Sequence, residues 1–183
     1  NINAAVTAGT NVSITNSGTF TTNAAGDIVA TGTFSQDGAG NSNLSADITT
    51  TNSNISFAQA ITLSDDVAMS SGSGDGTITF SDGIDASSDH AQSLTLTAGT
   101  GAINFDAAVG ATTDLKDITI ISASNVDTDS TLAAKNFIQS AGTGTTQLDG
   151  AVTLSEGLDY NGTHLNINAA VTAGTNVSIT NSG

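Results

Sequence analysis

The chain has 183 residues and sets 17 carboxylates against two lysines, with no Arg, Pro, Cys or Trp, for a formal net charge of −15. Such a balance lacks the basic footprint that nucleic acid requires and gives no attraction to anionic membrane surfaces. No stretch approaches the roughly 18 consecutive apolar residues of a membrane span, and zero cysteines remove disulfides and thiolate metal sites.

Disorder is also disfavoured, because 37% of the residues are hydrophobic, many of them β-branched. Aromatics are only 4%, which suits a slender core better than a wide one. Helical periodicity is not sustained in any window. In chain order the strand signals are VSI at 12–14, ISF at 55–57, ITL at 61–63 and TITF at 77–80. They continue with LTLT at 94–97, INF at 103–105, ITII at 118–121 and VTL at 152–154. Each is a short apolar–polar–apolar alternation bounded by Gly, Asn, Asp or Ser, the pattern of many short strands joined by turns.

The spacing carries more than the strands do. Phe34, Phe57, Phe80 and Phe105 follow one another at steps of 23, 23 and 25. A second line runs Ile61, Ile84, Val109, Leu132, Leu154, Val177 at steps of 23, 25, 23, 22 and 23. A period of this size without amphipathic helices predicts a β-solenoid, most simply a parallel β-helix, with these two lines as columns of the core. The stretch Asn1–Gly18 reads identically to Asn166–Gly183, an offset of 165. That offset corresponds to about seven coils of 23–24 residues, or about 34 Å at the usual strand spacing. Residues 1–165 then form one repeat unit, and 166–183 are the start of the next. Proline is missing because every coil must donate N–H groups to a neighbour.

The segments SLTLTAGTGAINFDAAVGATTDLKDITI at 93–120 and AGTGTTQLDGAVTLSEGLDYNG at 141–162 resemble the repeat regions of large secreted bacterial surface proteins of the filamentous-haemagglutinin-like type. Those are the two-partner-secretion and autotransporter-style adhesins. The resemblance implies a β-helix, an extracellular or cell-surface location, and a role as structural fibre or adhesin stalk.

Chemistry-bearing motifs are sparse. Polysaccharide-cleaving β-helices use clustered carboxylates with Arg, Lys or His, whereas here Lys116 and Lys135 are distant in sequence and His90 and His164 fall in different coils. The chain reads as a non-enzyme with no organic cofactor. Calcium is the one ionic candidate, at Asp65 and Asp66, at Asp127 and Asp129, at Asp114 and Asp117, and at Asp75 within GSGDGTITF, which is similar to a single calcium β-roll nonapeptide. The plainer reading places these aspartates in turns, where they accept local backbone hydrogen bonds. Thr77/Thr79 and Thr95/Thr97 hint at an outward threonine ladder of the ice-binding kind, but Ser56 and Asn104 interrupt it. The expected partner is the protein itself, end to end along a fibre. Divalent cations are a second expected link, between neighbouring fibres.

Overall fold

The computed structural model describes residues 1–183 and contains no helix, only short strands that pair in parallel. The chain winds as a three-faced β-solenoid of about eight turns. Each turn lays one strand on the first face, one on the second and one on the third, then returns to the first. Successive pairings carry Val6 through Ile28, Ile48, Met69, Leu96, Ile120, Gln139 and Tyr160 to Ile179 on the first face. The second face is an uninterrupted eight-stranded sheet from Val12–Ile14 to His164–Ile167.

The third face begins with Phe20–Thr21, Ser42–Leu44, Ile61–Leu63 and Ile84–Ala86. It continues through the single bridge residue Val109 into the strand Leu132–Gln139. That strand is long enough to round the corner between the third and first faces. Its opening residues pair with Val152–Leu154 and its closing residues with Leu158–Tyr160.

Alternation explains the core. On the second face the outer residues of each triplet point inward and are buried, while the middle residue faces out. A cluster of 33 buried residues runs through the stack as one continuous apolar core. Phe57, Phe80 and Phe105 occupy one register position, their rings stacked at 6.1 and 5.3 Å with 15° between planes. Phe34 stands at the other inward position of its triplet. It faces Ile55 in the next coil, while Gln36 takes the position above Phe57. The Phe34 ring still reaches the Phe57 ring at 5.2 Å, tilted.

The second sequence line divides in the same way. Ile61, Ile84, Val109 and Leu132 align, but the column then passes through Val152 and Val171. Leu154 lies one inward position further along, opposite Ala134 and Ala173. Val177 is on the first face, opposite Leu158.

The cause is unequal coil length. The coil from Met69 to Leu96 is the longest, because a loop follows Ala86 before Leu94. The coil from Ile120 to Gln139 is among the shortest, because a strand that rounds a corner needs no loop there. Even spacing in the sequence therefore does not guarantee a common column.

Candidate functional site

Because the middle residue of each second-face triplet faces out, parallel pairing stacks such residues into ladders. One ladder reads Asn104, Asp127, Gln147, Asn166. It lines an open groove of about 390 Å³, with Asn125 and Thr145 on its flank. The next corner position brings Asp129 and Asp149 beside it, and carboxylate oxygens of Asp127, Asp129 and Asp149 all lie within 4.8 Å of one another.

Two of these carboxylates experience opposite fields. Asp149 Oδ1 accepts from Asn168 Nδ2 at 2.6 Å and Oδ2 accepts from Gln147 Nε2 at 2.8 Å. Those amide donors hold its carboxyl below the ordinary value of 3.8. Asp127 is half-buried, and its Oδ1 is enclosed without a hydrogen-bond partner. Burial, followed by the charges of Asp129, Asp149 and Asp106, pushes its carboxyl above 3.8.

This arrangement makes a testable prediction. The native chain holds the Asp127 proton more firmly than the unfolded chain does. Its contribution is therefore most favourable at low pH and is lost as pH rises from 3.8 through the higher native value. At pH 7 the Asp127→Asn variant gains about 0.2–1 kcal/mol, the scale of like-charge repulsion between neighbouring strands under solvent screening. Urea denaturation at pH 3 and pH 7 measures it. A variant no more stable than wild type at pH 7 contradicts the electrostatic account.

Three carboxylates with flanking amide oxygens are the hard-oxygen donors a calcium ion takes, although such ions collect roughly six to eight ligands. Asp127, Asp129 and Asp149 are the residues that could hold one. Of the aspartates singled out in the sequence, only Asp127 and Asp129 meet in such a group. Asp65 Oδ1 accepts from the Asp66 N–H at 2.9 Å, and Asp66 Oδ1 accepts from the Ser93 N–H at 2.8 Å, so this pair shapes a corner. Asp75 is exposed in the loop before Ile78. Asp117 accepts from Asn136, and Asp114 joins a different cluster. Asp149 is the member that sequence reasoning misses. Its spacing from Asp129 marks it only once the local coil length is known.

The second cluster is Asp89, His90 and Asp114. His90 sits at φ 56° in the loop after Ala86. Its Nδ1 lies 3.1 Å from Asp89 and its Nε2 3.4 Å from Asp114, while Ser155 Oγ is also 3.4 Å from Nε2. The backbone adds His90 N–H to Asp114 O at 2.9 Å. The serine, imidazole and carboxylate types of a hydrolytic triad meet here, but the Asp114 carboxylate competes with the hydroxyl for Nε2. The groove lies elsewhere, on the second face. The contacts act as a clasp that ties the longest coil to the coils that follow it.

What these features define is a class: a parallel, three-faced β-solenoid with a polar groove on one face and a carboxylate cluster at its edge. No protein-family model, curated protein or solved structure matches the chain.

Proposed function

We propose that the chain is a repeat unit of a long extracellular β-solenoid fibre, whose partner at each end is another unit of the same sequence, joined covalently or by stacking. One observation carries this reading. The sequence that forms the first coil recurs as the final coil, seated in continuous parallel register on the coil before. The apolar columns run on into both outer coils, through Val6, Val12 and Ile14 at one end and Val171 and Ala173 at the other. A segment that seats in this register at one coil can do so at each repeat, and a head-to-tail contact that does not close propagates as a filament.

Its role is mechanical. Main-chain hydrogen bonds run along the axis, while the stacked core resists sideways collapse. Surface carboxylates keep neighbouring fibres apart, and divalent cations bound at Asp127, Asp129 and Asp149 would draw them together. Electron microscopy of the native material tests the reading. Long unbranched filaments with a layer spacing of about 4.8 Å are expected, and compact separate particles would overturn it.

A second reading, a stalk segment of an adhesin, gains support from the groove. The amides of Asn104 and Gln147 and the carboxylate of Asp127 offer the hydroxyl-binding chemistry that glycans require. Saturable glycan binding that disappears on Asp127→Asn would favour the stalk over a purely mechanical fibre.

A further inference from the structure

The sequence Asn1–Gly18 is seated twice in this molecule, and the two seatings differ by one face. In the first, Ile2 bridges Thr22 on the third face, Val6 pairs with Ile28 on the first, and Val12 pairs with Phe34 on the second. In the second, the corresponding residues change faces. Ile167 pairs with Leu148 on the second face, Val171 with Val152 on the third, and Val177 with Leu158 on the first. All three shift in the same direction, so this is a single rotation of the whole coil rather than a slip of one strand.

The count agrees. The chain visits the faces in constant order, and Val171 lies twenty-three face visits after Val6, one short of the twenty-four that close eight turns. The repeat therefore spans seven and two-thirds turns.

We infer that the coil formed by Thr145–Leu148, Val152–Leu154 and Leu158–Gly162 is the docking surface for the opening segment of the next repeat, and that each repeat is turned by one third of a revolution from the last. This rests on the tandem-fibre reading above. The occupant is a second copy of this sequence, because that sequence is what the structure shows on the surface. Val152 N–H donates to Ala170 O at 2.9 Å, Gly174 N–H to Leu154 O at 2.9 Å, and Leu158 N–H to Asn176 O at 3.1 Å. Asn168, the counterpart of Asn3, adds its side-chain bond to Asp149. The segment can occupy either setting because its inward residues are Ile, Val and Ala in triplets that fit any of the three faces.

In the fibre each repeat advances about 37 Å at ~4.8 Å per layer, and identical surfaces return after three repeats, about 110 Å. The groove and the carboxylate cluster beside it then appear on each side of the fibre in turn, so lateral bridging through that cluster is not confined to one side.

The lack of any native cysteine makes the register directly testable in the full chain. Directly opposed residues on neighbouring parallel strands lie about 4.8 Å apart, within the Cα range of a disulfide. Asp159 opposes Ser178, and Thr153 opposes Thr172, all four exposed. A repeat of whole turns at the even spacing of the sequence would place Ser178 over Ser155 instead. Under mild oxidation, Asp159→Cys/Ser178→Cys and Thr153→Cys/Thr172→Cys should lose their free thiols, while Ser155→Cys/Ser178→Cys should keep them. The reverse pattern, or failure of both opposed pairs to close in variants with wild-type circular dichroism, overturns the turned docking. Helical reconstruction separates the two levels. Filaments whose repeats superpose by translation alone refute the rotation, whereas absence of filaments refutes the fibre reading and leaves the thiol result to decide the register.

Discussion

Replacing Phe80 with alanine should cost about 3–5 kcal/mol, the usual range for deleting a buried aromatic ring. Phe80 is 1% exposed and has a ring stacked on either side, Phe57 at 6.1 Å and Phe105 at 5.3 Å. Deletion therefore removes transfer energy and two aromatic contacts together, and the peptide ladder above and below limits collapse of the cavity. Because the ladder and the core contacts of each coil reach only its neighbours, the damage concentrates at one junction of a quasi-one-dimensional stack. Denaturation by urea should show a lower midpoint and a reduced slope, as the coils on either side begin to unfold separately. Phe20→Ala is the comparison. Phe20 stands near the start of the stack, 6% exposed with its nearest ring at 6.5 Å, and its loss should cost less. Equal losses at the two positions would contradict a stack with local coupling.

The second large effect is expected at Gly99. The turn Ala98–Gly101 takes the chain from the first face to the second, and Gly99 does so at φ +57°. A Cβ there would stand 2.6 Å from Ser73 Cα in the coil before, and closer still to the Ser73 carbonyl, main-chain atoms that cannot rotate away. Gly99→Val thus combines left-handed strain of about 1–3 kcal/mol with overpacking of about 1–3 kcal/mol. The chain can relieve the clash only by prising two coils apart, which lengthens the ladder bonds beside it. Thermal denaturation measures the loss. A Gly99→Val variant as stable as wild type would show that the corner adapts and that coil spacing is not set there.

Much of the architecture is written in local sequence. Short alternations such as ISF and INF dictate one buried and one exposed side, and their number and turn residues leave little choice but a stack of coils. The lack of Pro follows from the need for every coil to donate to its neighbour. Aspartates at the corners are legible as turn residues only in part: Asp65 accepts from the adjacent Asp66 N–H, whereas Asp66 accepts from the Ser93 N–H of the next coil.

Register is not legible, and for a physical reason. Coil length depends on how each corner is built, which requires knowing what packs against it. Phe34 precedes Phe57 by the same interval that separates Phe57 from Phe80, yet it belongs to another column. In its place Gln36 turns inward. Its Nε2 donates to the Gly40 carbonyl at 2.9 Å within its own corner and to Asn16 Oδ1 at 2.7 Å, a contact available only once two coils are stacked. The coil from Ile120 to Gln139 is short because Leu132–Gln139 rounds its corner as one strand. These differences leave one repeat a third of a turn short of eight. They decide that Asp149 joins Asp127 and Asp129, and that two identical segments rest on different faces. Sequence alone determined that the chain must stack, since alternation and hydrogen-bonding capacity are local properties. Tertiary structure decided what stacks on what, because corner length is settled by contacts between coils.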